Sequence, residues 1–182
     1  MRLFVSVGVD GLEAAIAGVQ TPLRGLSGLR TSDPANAHVT LNFLGEGDHD
    51  LDALTEAIEA AIETADVGPF DATLEGVGAF PSPSYIRVIW LGVGDGAGPL
   101  TALHNAIEAE TTALGYEAKR HDFTPHVTLA RMKHAGETAE VRGFLETQDP
   151  EVGPFAVETV RLNESTLSAD GPAYRTKAEF EL

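Results

Sequence analysis

Apolar and polar residues alternate along RLFVSVGV (2–9), and the β-branched residues among them predict an opening strand. Asp10 stands where a helix over 11–20 would be capped, and LRGLSGLRTSDPANA reads as loop. AHVTLNFLG (37–45) alternates again and ends at a glycine, which predicts a second strand. From about 48 to 65 the period changes: Leu51, Leu54, Ile58 and Ile62 fall at helical spacing with acidic residues between them. VGPFDATLEGVGAF and SYIRVIWLGV predict two strands separated by PSP, and a second amphipathic helix follows over 98–114 through Leu100, Leu103, Ile107 and Leu114. A strand at 125–131, a helix near 137–147, and strands at 154–168 and 173–181 around ADGP complete the chain. Elements in this order lack regular βαβ alternation, so the expected class is α+β with mainly antiparallel sheet.

The pattern repeats itself. HVTL stands at His38–Leu41 and again at His126–Leu129, and DVGPF at Asp66–Phe70 returns as EVGPF at Glu151–Phe155. Both echoes recur at nearly the same offset, close to half the chain, and in the same order around a predicted helix. Two matched landmarks predict an internal duplication: one domain over 1–182, built of two related lobes that meet near residues 90–95.

Composition narrows the setting. Asp and Glu number 28 against 12 Lys and Arg, a net charge of −16, with the acid spread along the chain. That distribution resembles proteins of salt-rich cytoplasms, where counterions screen self-repulsion. A general basic footprint for nucleic acid is missing, so an anionic substrate must be caught by a few placed cations. Cysteine is absent, which excludes thiolate chemistry and disulfides. No apolar run reaches the length of a membrane span, and MRLFVSVGVD lacks the features of a signal peptide, so a cytoplasmic protein without membrane partners is expected.

The duplicated motif carries the chemistry. Strand side chains alternate faces, so His38 and Thr40 share one face and Val39 and Leu41 the other; His126 and Thr128 stand likewise against Val127 and Leu129. A lone strand histidine is more often structural than catalytic, but a His-x-Thr pair written in both halves reverses that preference. Two imidazoles facing each other can divide acid and base duties near neutral pH. Phosphodiester cleavage needs both duties, with threonine hydroxyls donating to the non-bridging oxygens and Arg131 supplying positive charge. Strict alternation would turn Arg131 away from His126, so the strand must twist or end near Ala130 for it to reach the site. Zinc is the rival use of paired histidines, yet His-x-His, H-E-x-x-H and cysteine are all missing; neither metal nor cofactor is expected. His49, His104 and His134 read as bystanders, while His121 reads equally as cleft or surface. Phe123 is either a base-stacking residue or core. Arg87, Lys119 and Arg120 either guide an RNA end or are solvated surface. GVGDGAGP (92–99) has no nucleotide-binding glycine pattern or Walker lysine and reads as a flexible turn.

HVTLNFLG and PHVTLAR, placed this way, resemble the two H-x-T-x motifs of the two-histidine phosphoesterases, with the RNA 2′,3′-cyclic phosphodiesterases, historically 2′-5′ RNA ligases, the nearest in pattern. The likeness extends to RLFVSV, FLGE, RVIWLGV and LNESTLSADGPAY. The resemblance implies two pseudo-symmetric lobes of antiparallel sheet with outer helices and an active-site cleft between them. It implies His38 as proton donor, His126 as proton acceptor, and Thr40, Thr128 and Arg131 as phosphate-binding residues. Symmetry by itself allows either order of the histidines. The implied activity is metal-independent hydrolysis of an RNA 2′,3′-cyclic phosphate end, from tRNA or another RNA, or of a cyclic nucleotide, to a 2′-phosphate. Phe43, in the position that Arg131 holds in the second half, joins Phe123 as a candidate substrate contact. The rivals are 2′-5′ ligation by the same site and a non-catalytic RNA-end or nucleotide-binding module. A monomer is expected.

Overall fold

A computed structural model describes residues 1–134 and 138–182. The elements are β1 (Arg2–Gly8), α1 (Glu13–Gln20), β2 (Leu29–Thr31), β3 (His38–Glu46), α2 (Leu51–Ala65), β4 (Phe70–Ser82) and β5 (Tyr85–Val93). They continue as α3 (Ala97–Ala113), β6 (His126–Met132), α4 (Thr138–Thr147), β7 (Glu151–Val157), β8 (Thr159–Ser168) and β9 (Gly171–Glu181). All strand pairs are antiparallel and belong to one nine-stranded sheet, in the order β7-β4-β5-β6-β3-β1-β8-β9, with β2 paired to β6. The class is α+β, as expected.

Several local expectations change. Asp10 does not cap α1, whose cap position is Leu12 without a side-chain bond; the Glu13 carboxylate instead accepts the N–H of Gly11 at 3.2 Å. The segment read as loop contains β2 and a 3₁₀ turn at Pro34–Asn36, capped by Asp33 through the N–H of Ala35. Leu114 lies past the end of α3 and is 45% exposed, so it is not part of that helix's inner face. The α2 start is as its chemistry dictates: Asp50 accepts the N–H of Ala53 at 3.1 Å. The strand read over 154–168 is two strands broken at Glu158. β7 pairs β4 while β8 pairs β1, so five strands lie between them. A flat sheet would hold them roughly 29 Å apart at ~4.8 Å per strand, so the sheet has to curl for one residue to join them. Residue 137, at the predicted start of the last helix, lies outside the described residues.

Sheet order divides the molecule between β3 and β6. The His38 side holds β1, β3, β8 and β9, and the His126 side holds β4, β5, β6 and β7. Spatial halves are therefore not sequence halves, and 90–95 falls within the His126 side, at the end of β5. Helices cover one sheet face, α1 packing on β6 and α3 on β3. Beneath them Val39, Leu41, Val127 and Leu129 are buried with Leu54, Ile58, Leu100, Leu103 and Ile107. Truncating one of these leucines would cost about 2–5 kcal/mol, so the face opposite the histidines is firmly set. No helix among the described residues is long and apolar enough to cross a membrane.

Candidate active site

The two motifs meet at the centre of the sheet, where Val39 pairs directly with Val127. In an antiparallel pair this register sets His38 beside Thr128 and Thr40 beside His126. All four line a single cleft of about 640 Å³, together with Phe43, Arg131 and Tyr174. Each motif strand then breaks its alternation. On β3, Asn42 pairs with Val5 and Thr40 with Ser6, leaving Leu41 as an extra residue. On β6, Ala130 pairs with Ile89 and Thr128 with Trp90, leaving Leu129 extra. A β-bulge re-aims everything after it. Two consecutive residues are consequently buried, Leu41–Asn42 and Leu129–Ala130, and the next, Phe43 or Arg131, returns to the cleft face. Neither an early strand end nor twist alone brings Arg131 round: β6 runs to Met132, and the bulge at Leu129 does it.

Each bulge carbonyl is held by a helix. Gln20, fully buried at the end of α1, donates its Nε2–H groups to the carbonyls of Leu129 at 3.0 Å and Ser32 at 2.8 Å. His104 on α3 donates Nδ1–H to the carbonyl of Leu41 at 2.7 Å and stacks on Phe123, ring centroids 4.2 Å apart. His104 is thus a buried structural residue on which the first motif rests, not a bystander.

The catalytic-type geometry lies in the imidazoles. His38 Nδ1–H donates to the carbonyl of Asn36 at 2.8 Å, and His126 Nδ1–H to that of Thr124 at 2.6 Å. A carbonyl only accepts, so each neutral ring carries its proton on Nδ1 and keeps Nε2 available to the cleft. Aromatic rings wall both. Phe4 and Tyr174 lie 5.1 and 5.3 Å from His38; Phe80 and Trp90 lie 4.8 and 6.0 Å from His126. Gly78 makes this possible, since a Cβ there would stand 2.2 Å from the Trp90 ring. Burial lowers both histidines below the ordinary 6.5; the carbonyl bonds oppose this, while Arg131 adds to it in each. His38 is lowered further by the charge of His126.

Other expected residues fall elsewhere. Phe123 is not among the residues that line the cleft; it stacks on His104 and packs against the core. Phe43 lines the cleft, 40% exposed, with Arg2 and Lys119 at 5.1 and 5.4 Å from its ring centroid. Beyond Phe43 lies a larger concavity of about 950 Å³ lined by Lys119, Arg120, His121 and four acids, Glu46, Asp48, Asp50 and Glu117. Size favours that one, but convergent acid–base groups favour the smaller cleft. His49 accepts from the Tyr116 hydroxyl at 2.8 Å and donates to the carbonyls of Met1 and Gly45, pinning the chain start. Arg87 pairs with Tyr85 on β5, outside the cleft. GVGDGAGP turns from β5 into α3. Sequence reasoning missed Arg24, Arg30 and Tyr174, which also line the cleft. Among the described residues no group of three His, Asp or Glu side chains is placed to hold a metal ion.

Two bulged H-x-T-x strands meeting at the middle of one curled antiparallel sheet define a class, and comparison agrees with it. A model of the 2′-5′ RNA ligase superfamily matches residues 11–166, and the chain belongs to that superfamily. Among its relatives, a protein of Aeropyrum pernix named RNA 2′,3′-cyclic phosphodiesterase is 38% identical over 84% of this chain and 86% of its own. One of the same name from Archaeoglobus fulgidus is 36% identical over the full length of both. In structure, TT0787 of Thermus thermophilus superposes with a TM-score of 0.77 at 28% identity, covering 100% of this chain and 98% of its own. Escherichia coli LigT complexed with 3′-AMP gives a TM-score of 0.77 at 23% identity, covering 100% and 97%, and shares the fold.

Proposed function

We propose that this protein hydrolyses RNA 2′,3′-cyclic phosphate ends to 2′-phosphates by paired-histidine acid–base catalysis, without a metal, in a single duplicated domain. The observation that carries the reading is the matched tethering of His38 and His126 by Nδ1, which leaves two Nε2 atoms in one cleft with Arg131. The names of its relatives support the substrate class. His126 Nε2 takes a proton from water as the oxygen attacks phosphorus. The bond from phosphorus to the 3′-oxygen breaks, and His38 Nε2–H delivers its proton to that oxygen. Thr40 and Thr128 donate to the non-bridging oxygens, Arg131 balances their charge, and Phe43 offers its exposed ring to the base.

The matched tethering of the two rings gives a second reading, the swapped order of roles, since each ring presents Nε2 to the same cleft and burial with the Arg131 charge lowers both. An activated substrate with a p-nitrophenyl leaving group decides, because it needs no acid: His38→Ala keeps turnover if His38 is the donor, and His126→Ala keeps it if the roles are swapped.

The first experiment is turnover of an RNA oligomer ending in a 2′,3′-cyclic phosphate, in high potassium chloride with EDTA. Wild type forms a 2′-phosphate, and folded His38→Ala and His126→Ala lose at least about a hundredfold, the typical scale of one acid or base. Loss of wild-type activity in EDTA, restored by zinc, rejects the metal-free mechanism. Joined 2′-5′ products in place of the 2′-phosphate reassign the site to ligation, and binding without turnover reassigns it to recognition.

A further inference from the structure

We propose that Arg30, backed by Arg24, forms a second phosphate subsite in this cleft, one that takes the phosphodiester next to the cyclic end and so selects an RNA chain over a mononucleotide. The inference rests on the cleft being the catalytic one described above.

Cations are scarce in this chain, yet Arg24, Arg30 and Arg131 all line the same cleft. Among the described residues none of the three lies within ion-pair distance of a carboxylate. Two acids share the cleft wall: Asp33 is engaged with the N–H of Ala35, and Asp170, at the β8–β9 turn, lies beyond ion-pair distance of these arginines. Arg30 stands directly opposite Arg131 in the pairing of β2 with β6. Directly opposed residues of an antiparallel pair share a face with Cβ atoms about 4.5–5.5 Å apart, and like charges so placed repel. The three residues of β2 therefore carry an electrostatic cost that bound anions relieve.

Geometry separates the two guanidinium groups. Arg131 stands on the cleft face of β6, the strand that carries His126 and Thr128, and is the arginine assigned above to the reacting phosphate. Arg30 instead reaches the turn between β8 and β9, where its guanidinium nitrogen would lie 3.0 Å from a Cβ on Gly171. Glycine at that turn leaves room for it. Arg24 lines the same cleft and donates to Gln20 Oε1 at 3.4 Å. Two cationic stations thus run from the histidines toward the β8–β9 turn, the direction in which an RNA strand would leave. A cyclic mononucleotide has one phosphate and can use only the first.

The test compares a nucleoside 2′,3′-cyclic phosphate with a short RNA ending in the same nucleoside. In Arg30→Ala, and in Arg30→Gln as a second variant of an exposed site, the ratio of kcat/KM for the RNA to that for the mononucleotide falls about tenfold, the scale of one charge-assisted contact. The loss lies in KM. Binding is read separately with a nucleoside 3′-monophosphate and a 3′-phosphorylated RNA. There, wild type and Arg30→Ala differ by about 0.7 in the slope of log Kd for the RNA against log salt, the value of one phosphate contact on a single strand. Equal losses on both substrates, or none on either, overturn the subsite. Should wild type turn over neither substrate, the catalytic reading fails on its own; a length preference in binding that Arg30→Ala removes still sustains the subsite, and no length preference overturns it.

Discussion

Tethering Nδ1 to the carbonyl two residues back gives each motif histidine one working nitrogen, and the same atom serves as base when bare and as acid when protonated. Which role a ring plays is then set by charge around it. Burial and Arg131 hold both histidines below 6.5 before substrate binds. A pH–rate profile of kcat/KM, which reports the free enzyme, should be a bell whose optimum lies on the acid side of 6.5. The profile of kcat should sit at higher pH, because a bound phosphate anion favours the imidazolium. A kcat/KM optimum above 7, or a monotonic curve, would count against the pair. The same depression has a stability sign. Below 6.5 the folded chain binds fewer protons at these rings than the unfolded chain, so their contribution to stability is fully present above 6.5 and is lost as pH falls from 6.5 through the folded values.

At the scale of elements, the bulges decide which side chain follows the motif into the cleft. Gln20 fills one acceptor site of the Leu129 carbonyl while the N–H of Ser32 fills the other. In Gln20→Leu the buried carbonyl of Leu129 loses one partner and that of Ser32 loses its side-chain donor, at a cost of about 1–3 kcal/mol. The melting temperature should drop several degrees, and KM for the cyclic substrate should rise with Arg131 misplaced. The decisive comparison is the double variant on a cyclic mononucleotide, which does not use the Arg24 and Arg30 subsite: Gln20→Leu with Arg131→Ala should be no worse in kcat/KM than Arg131→Ala alone, whereas additive losses would show that Gln20 does not act through the bulge. Much of the sheet and both histidine–threonine faces were legible in the sequence, because period-2 alternation is written in HVTL itself. The bulges were not, since a bulge keeps local residue types and changes only the pairing; the trace it left is the inward pair in HVTLN and HVTLA. β2, Arg24 and Arg30 were hidden for a related reason. A three-residue strand has no period to read, and its partner lies on β6, far along the chain. His104 read as a bystander and Phe123 as either base-stacking or core, because the stacking of two residues far apart along the chain leaves no local pattern in sequence.

At the scale of the molecule, a net charge of −16 opposes any polyanion that approaches. Turnover of RNA should therefore rise with potassium chloride as the screening length shrinks from about 10 Å at 0.1 M to about 3 Å at 1 M. The rise should be steeper for longer RNA than for a cyclic mononucleotide; equal salt responses would place the charge too far from the cleft to matter. The order strand, helix, motif strand, helix, strand occurs twice, as β1-α1-β3-α2-β4 and β5-α3-β6-α4 continuing through β7 to β8. Each copy gives its strand to the other, β4 pairing with β5 and β8 with β1. Each also holds the other's bulge, Gln20 reaching Leu129 and His104 reaching Leu41. Neither set of elements closes its own sheet or holds its own bulge, so the single cleft is a joint product of both, and its two matching positions are free to differ, with Phe43 at one and Arg131 at the other.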